Sequence, residues 1–446
     1  MRLIMGWLLL GYASVSFATT TSTAIFCQKY PKAVGCENTA TSCGICHAGP
    51  PSLNAYGEDI KANLVGPIDT NLLVALSKIE GLDSDEDGSL NLDEINFLGA
   101  PGNPQIEPKK DINLVFDEGI ALKRIKSTYC GTTATYADMQ KLKAATDPKA
   151  ILHQELSTCL ESAYWTKEAL FRMADKKIQP LAATGFGGPV VIGDYRFDYR
   201  LFSYIMSGDR DVRELLSAQY HIDAAGNKIE GVVAREEPFS IGTRIVIAGG
   251  QPLAPARRAG MLTTQWYLSN FTMFAVLPRN TASQAYRAYL GLDIAKGEGL
   301  MPMANEPRDV DSKRVAQADC AACHSTLDPI SYAFSAYRGI EVSIALATGN
   351  PIGTYNAART PWEAQGQVLG KPVANLLEWA ETARNSEAFQ RNIAKMMFEQ
   401  ALSRGPLTHE AEDFEELWKG LPMEGYSVNK MLHRFIETTA FAGKTP

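Results

Sequence analysis

Residues 43–47 read Cys43-Gly44-Ile45-Cys46-His47, and the same pattern returns as Cys320-Ala321-Ala322-Cys323-His324. Cys-x-x-Cys-His is the attachment signature of c-type haem. Its two thiols add to the two vinyl groups of one haem, and the adjacent histidine binds the iron. A thioredoxin-like pair and half a zinc site are the alternatives. Neither motif lies in a βαβ pattern or has a second Cys-x-x-Cys nearby, so the sequence predicts two haem c groups.

The other four cysteines fall into two close pairs. Cys27 and Cys36 precede the first motif, and Cys130 and Cys159 bracket a helical stretch. Disulfides are typical of exported proteins, so proximity predicts the bonds Cys27–Cys36 and Cys130–Cys159. Buried free thiols remain the alternative.

A second motif, at residues 83–94, fits the twelve-residue calcium loop of an EF-hand. Its glycine, Gly88, is at the sharp turn. The predicted ligands, at positions 1, 3, 5, 7, 9 and 12, are Asp83, Asp85, Asp87, the Ser89 carbonyl, Asn91 through a water, and a bidentate Glu94. The alternative is a solvated acidic turn. Calcium sensors usually pair such loops, so this single loop predicts a structural calcium site.

The N-terminal residues 1–18 have the layout of a secretory signal peptide. Arg2 precedes the apolar run Leu3–Leu10, and small residues, Ser16 and Ala18, stand where a signal peptidase cleaves. A retained anchor is the alternative, although the run is too short to span a bilayer. We expect a periplasmic or secreted protein with no transmembrane segment after cleavage. The net charge of −7 without basic runs argues against nucleic acid as a partner.

The expected fold class is mainly α, with cytochrome c-like haem units, a helical middle region and a few short strands. After the signal peptide we expect a small unit with haem and calcium (19–105), a helical region (106–180) and a large C-terminal region with the second haem (181–446). Apolar spacing predicts helices, and short apolar runs predict two strands. The helices are 121–128, 136–145, 148–162, 195–218, 260–269, 373–384, 387–403, 409–419 and 428–439; the strands are 189–192 and 244–247.

Residues 185–445 resemble the large haem-bearing domains first noted in planctomycete-type cytochromes. The matching phrases are 209–218 (DRDVRELLSA), 257–264 (RRAGMLTT), 325–330 (STLDPI) and 401–404 (ALSR). The first unit is similar to small exported cytochrome segments in which the haem motif is followed by 53–57 (LNAYG) and an EF-hand loop. The resemblance implies a periplasmic or surface cytochrome, and it implies no substrate.

The second axial ligand of each haem iron is the open question. Between His47 and Met139 the chain has no histidine and no methionine, so the first haem requires a ligand from further along. His153 is the first choice for this haem, because it lies on a helix near the predicted Cys130–Cys159 bond. The other candidates are Met139, Met173 and His221 for the first haem and Met301, Met303, Met396, Met397, His409 and His433 for the second.

Two function classes remain. The favoured one is an electron carrier that works with a redox partner protein. The alternative is a dihaem oxidoreductase, for example a peroxidase-like enzyme, in which one iron is open to a small molecule. The sequence names neither the partner nor a substrate.

Overall fold

The computed structural model of the chain describes residues 20–444, with gaps at 32, 37–41, 50–51, 97–98, 107–113, 178–181, 185–188, 192–194, 233–238, 242–243, 247–250, 252, 266, 269–276, 339–353 and 360–364. The predicted signal peptide lies outside the described residues. Two compact units are present. The first contains the described residues up to 112 and Leu407–His409, and the second contains those at 113–406 and 410–446. The regions expected at 106–180 and 181–446 therefore fall mostly into one unit.

Helices dominate the described residues, which confirms the expected mainly α class. The α-helices are Thr20–Lys29 (α1), Ala55–Asn63 (α2), Ile68–Ile79 (α3), Asn91–Asn96 (α4), Glu118–Tyr129 (α5), Tyr136–Ala144 (α6), Pro148–Leu160 (α7), Leu170–Asp175 (α8), Tyr195–Met206 (α9), Arg279–Ala285 (α10), Ala318–Ser331 (α11), Leu376–Arg384 (α12), Glu387–Leu402 (α13), Ala411–Gly420 (α14), Val428–Phe435 (α15) and Thr439–Ala442 (α16).

Strands are short and occur in antiparallel pairs. The pairs in the described residues are His47–Gly49 with Ser52–Leu53, Val115–Phe116 with Gly443–Lys444, Ala182–Thr184 with Pro189–Val191, His221–Ile222 with Lys228–Ile229, Phe239–Ile241 with Arg244–Val246, Tyr337–Arg338 with Thr354–Tyr355, and Gly366–Val368 with Lys371–Val373. The two strands predicted from apolar runs are confirmed at Pro189–Val191 and Arg244–Val246.

The first unit has a small core in which α1, α2 and α3 pack together. On α3, Leu72, Leu76 and Ile79 follow one another at spacings of four and three, so they face the same side, and all three are buried. Phe26 of α1 and Tyr56 of α2 pack against them. A core of this size stabilises a fold only weakly, so cross-links contribute a large share of the stability.

The second unit has an extended core, and α5 and α7 illustrate how the sequence builds it. The Asp147 side chain caps α7 by accepting from the Ala150 N–H, and Pro148 occupies the first turn, where no backbone N–H is needed. Leu152 and Leu156, four residues apart, are buried on the face that packs towards α5. This part of the core forms as the spacing predicts.

One predicted helix is wrong in its extent. Helix 195–218 ends at Met206, because Gly208 adopts a left-handed backbone (φ +64°). A separate 3-10 helix, Val212–Leu216, then begins with Asp211 as its cap. The predicted helix 260–269 begins as a 3-10 helix at Gly260–Thr263, and part of its remainder lies outside the described residues.

No helix within the described part of the chain is both long enough and apolar enough to cross a bilayer.

Candidate haem and calcium sites

Both predicted disulfides are confirmed. Cys27 and Cys36 are joined with a sulfur–sulfur distance of 2.10 Å, and Cys130 and Cys159 with one of 2.00 Å. The four motif cysteines, Cys43, Cys46, Cys320 and Cys323, are free thiols, and all except the partly buried Cys46 are exposed. The chain therefore separates its cysteines into four that cross-link the fold and four that stay available for thioether bonds.

The first motif forms a tight loop. A 3-10 helix, Ser42–Ile45, contains Cys43, and the strand after it begins with His47. The His47 Nδ1 lies 3.2 Å from the Ser52 carbonyl oxygen. Because a carbonyl only accepts, Nδ1 carries the hydrogen and Nε2 keeps its lone pair, which is the state that binds a metal. Burial, and then the neighbouring Cys43, raises the pKa of the Cys46 thiol to about 11.

Asn54 holds this loop against α2. Its side-chain nitrogen donates to the carbonyls of Gly44 and Ile45 at 3.1 and 3.0 Å, and its side-chain oxygen accepts from the Gly57 N–H at 2.9 Å. One buried amide thus caps a helix and braces two carbonyls inside the Cys-x-x-Cys segment. In the sequence, Asn54 lies within the LNAYG stretch of the family resemblance, and no local pattern there indicates its bracing role.

Gly57 lets α2 approach the haem motif. A Cβ at this position would lie 2.1 Å from the Cys46 carbonyl oxygen, far inside van der Waals contact. Gly57→Ala should therefore destabilise the first unit by about 1–3 kcal/mol, despite the better helix propensity of alanine. Urea unfolding followed by circular dichroism measures the change.

Gly81→Ala is the matched control, since a Cβ there meets nothing within 4 Å. Equal stabilities of the two variants would contradict the close approach of α2 to the motif.

The second motif lies on a helix. Cys320, Cys323 and His324 are all on α11, so this site and the first are built on different backbone frameworks. The His324 Nδ1 lies 2.8 Å from a carboxylate oxygen of Asp328, one turn further along. His324 therefore has an anionic partner where His47 has a neutral carbonyl.

Asp328 belongs to a buried ion-pair network. The Arg279 Nε and Nη2 donate to its two oxygens at 2.6 and 2.8 Å, and the Arg279 Nη1 donates to Asp311 at 2.7 Å. Burial by itself would lower the pKa of Arg279, but the bonds to Asp328 and Asp311 outweigh it and raise this pKa above its usual value. The sequence analysis missed these three residues. The four-residue spacing of His324 and Asp328 on a helix was the available signal for one of them.

In the calcium loop, carboxylate oxygens converge without partners. One oxygen of each aspartate accepts from a loop N–H: Asp83 from Gly88, Asp85 from Asp87, and Asp87 from Ser89. The other oxygen of each is buried and has no hydrogen-bond partner, as are both oxygens of Glu94. Oxygens of the three aspartates lie within 4.8 Å of one another. In such loops calcium is bound by one oxygen from each of several side chains and by both oxygens of one further carboxylate.

Electrostatics also favour a cation in this loop. Glu94 is fully buried. Burial first, and then Asp85, Asp87 and Asp83, raise the pKa of Glu94 to about 8. Burial and the neighbouring aspartates likewise raise the pKa of Asp85. The four carboxylates destabilise one another's charged forms, and a divalent cation would remove this penalty.

Asn91, predicted to bind calcium through a water, makes hydrogen bonds within its own unit. Its side-chain oxygen accepts from the Ser84 N–H at 3.2 Å, and its nitrogen donates to the Ile79 carbonyl at 2.8 Å. Asn91 is fully buried and braces the loop, and its role towards calcium stays a prediction. The Ser84 hydroxyl, in turn, donates to Asp59 of α2 at 2.6 Å. The role of the Ser89 carbonyl stays a prediction.

His153 lies between two hydrogen-bonding side chains of the second unit. Its Nε2 lies 2.6 Å from Glu437, and its Nδ1 lies 2.8 Å from the Nδ1 of His433. The carboxylate only accepts, so a neutral His153 donates through Nε2 and accepts from His433. The His433 Nε2 then faces the Ser157 hydroxyl at 3.3 Å. Both histidines thus have hydrogen-bond partners within the second unit, and their assignment as haem ligands stays a prediction.

The remaining candidate ligands occupy varied environments. Met173, Met396 and Met397 are buried in the second core, Met139 is partly buried against it, Met303 is partly exposed, and Met301 is about half exposed. Burial first, and then Arg258 and Arg200, lower the pKa of His221 to about 3, so this ring is neutral. His409, assigned to the second haem from sequence, lies in the segment that groups with the first unit.

The comparisons with known proteins found no matching family model, no matching curated protein and no matching solved structure. The functional argument therefore depends on the geometry of the sites described above and on the motifs themselves.

Proposed function

We propose that this chain is an exported dihaem c-type cytochrome that exchanges electrons with a redox partner protein, and that its first unit binds calcium. One observation carries the proposal. The four cysteines of the two Cys-x-x-Cys-His motifs are free thiols, while the other four are paired in disulfides. The disulfides also support an oxidising compartment, in agreement with the proposed signal peptide.

The side chains at both motifs fit covalent haem. At each motif the histidine Nδ1 is bonded to an acceptor, the Ser52 carbonyl for His47 and the Asp328 carboxylate for His324. Each ring is thereby oriented, with Nε2 left to hold an iron. Haem c, when bound, supplies a one-electron redox centre. Asn54 and Gly57 keep the first loop in place, and α11 does so for the second.

We assign calcium a structural role in this proposal. The unpartnered oxygens of Asp83, Asp85, Asp87 and Glu94 support the site. The loop is tied to α2 through Ser84 and Asp59, and α2 is tied to the first haem motif through Asn54. The resemblance of residues 185–445 to planctomycete-type cytochrome domains is part of the same proposal.

Haem loading is the direct test. Expressed for export together with a cytochrome c maturation system, the protein should gain the mass of two haems that survive denaturation. A variant with Cys320→Ala and Cys323→Ala should keep one haem, and so should one with Cys43→Ala and Cys46→Ala. Intact-mass spectrometry counts the haems, and a wild-type protein without covalent haem would contradict the proposal.

A dihaem oxidoreductase with one open iron is the second candidate. The observation that favours it is the engagement of His153 and His433 with each other and with Glu437, because these hydrogen bonds compete with iron binding by the two histidines. Optical spectra of the reduced protein, with and without carbon monoxide, separate the two functions. A carrier whose irons both have two protein ligands should show no change, whereas an open iron binds carbon monoxide.

A further inference from the structure

The inference concerns Asp328, which lies one helical turn beyond the proposed iron ligand His324. Its side chain is fully buried and accepts from the His324 Nδ1 at 2.8 Å. Arg279 donates to both oxygens of the same carboxylate at 2.6 and 2.8 Å. Asp328 therefore has a fixed position, and through it the plane and the tautomer of the His324 ring are fixed as well.

The charges around His324 do not cancel. Two carboxylates, Asp328 and Asp311, share one guanidinium, Arg279, and the side chains of both aspartates are at most 5% exposed. Within this cluster of described residues, two carboxylate charges face one guanidinium charge, which leaves one negative charge in a poorly solvated region next to the ring. Charges act more strongly in such a region than in water, because little solvent screens them.

His47 lacks such a partner. Its Nδ1 bonds to the uncharged Ser52 carbonyl at the longer distance of 3.2 Å. A carboxylate makes a ligating imidazole a stronger electron donor than a carbonyl does. An electron-rich ligand and a nearby negative charge both favour ferric over ferrous iron, since the ferric ion carries the larger positive charge.

We propose that Asp328, held in place by Arg279 and Asp311, is a positioning residue that lowers the reduction potential of the second haem. The inference depends on the proposed function, because it requires a haem at Cys320 and Cys323. It assigns the two haems different roles. The second haem is the poorer electron acceptor, so in the singly reduced protein the electron resides mainly on the first haem.

Spectroelectrochemical titration of the two-haem protein tests the proposal. Asp328→Asn removes the charge and should shift the equilibrium constant for reduction of one haem at least tenfold towards ferrous iron, which is about 59 mV for a one-electron couple. The other wave of the titration should stay in place. Asp328→Glu restores the carboxylate and should return most of the shift.

The matched control is Asp319→Asn, which removes an exposed carboxylate from the same helix. It should leave both waves within a twofold change of the equilibrium constant. A shift as large as that of Asp328→Asn would mean that any charge on α11 has this effect, and would overturn the positioning role.

Asp311→Asn provides a second variant in case Asp328→Asn does not fold. It leaves the His324–Asp328 bond in place and removes the excess charge, so it should also raise the potential of the second haem. The inference is overturned if Asp328→Asn or Asp311→Asn folds, carries both haems and shows unchanged reduction potentials. That result would not contradict the proposed function. A wild-type mass without a second haem instead overturns the proposed function.

Discussion

Withdrawal of calcium should lower the free energy of unfolding of the first unit by about 4 kcal/mol, measured against a free calcium concentration about 1,000 times the dissociation constant. The physical reason is the set of unpartnered carboxylate oxygens on Asp83, Asp85, Asp87 and Glu94. A calcium ion that binds the folded loop and not the unfolded chain would stabilise the native state. Urea unfolding with excess calcium, and again with a chelator, measures the difference.

The substitution Glu94→Gln should change the free energy of unfolding in one direction with calcium and not in that direction without it. With calcium present it should destabilise the unit, because a charged, bidentate ligand is lost. With a chelator the substitution should be neutral or stabilising, because it removes one of four mutually repelling carboxylates. Burial and these neighbours raise the pKa of the Glu94 carboxyl to about 8. Glu86→Gln, in the same loop but exposed, is the control and should show neither effect. Identical unfolding of the wild-type protein with calcium and with chelator would rule out a structural calcium site.

Loss of the Cys130–Cys159 bond should destabilise the second unit by about 3.6 kcal/mol. This figure is the loop-closure entropy that the cross-link of 29 positions removes from the unfolded chain. Cys159 is fully buried in the core where α5 packs against α7. The folded structure around it therefore cannot rearrange to offset the loss of the bond. A variant with Cys130→Ala and Cys159→Ala, compared with wild type by urea unfolding, measures the loss.

The other disulfide is an internal comparison. Cys27–Cys36 spans nine positions, so the same relation gives about 2.6 kcal/mol for the first unit. Reduction of the wild-type protein should reproduce both losses without changing any side chain. A loss at Cys27–Cys36 equal to or larger than that at Cys130–Cys159 would contradict the entropic account.

Calcium and disulfide effects should be separable, because they belong to different units. The calcium loop and Cys27–Cys36 are in the first unit, and Cys130–Cys159 is in the second. Chelation of calcium should therefore shift the unfolding transition of the first unit. The variant with Cys130→Ala and Cys159→Ala should shift the transition of the second unit and leave that of the first unit in place.

Local features of the structure followed from the sequence. Both disulfides, the helices at 118–129 and 148–160 and the strand at 189–191 lie where spacing and residue type predicted them. The converging aspartates of the calcium loop do as well. These features depend on residues within about one loop of each other, so backbone geometry alone brings them together.

The error in the predicted helices has a local cause. The helix expected at 195–218 ended early, because Gly208 and the capping Asp211 terminate one helix and begin another. For Asn91 the pattern gave the position in the loop, and the structure adds that its amide makes hydrogen bonds with Ser84 and Ile79. Pattern matching assigns a residue to a position in a motif and does not determine which neighbour its side chain bonds.

The sequence by itself determined which cysteines pair and which aspartate oxygens converge, because each set is local in the chain. It also located the two Cys-x-x-Cys-His motifs on which the proposed haem sites depend. Only the tertiary structure brought Arg279 to Asp328, 49 positions away, and His153 to His433, 280 positions away. Such pairs form where buried apolar faces dock two distant elements. Apolar periodicity shows that a helix has such a face, but many helices share the pattern, so only the packed core selects the partner.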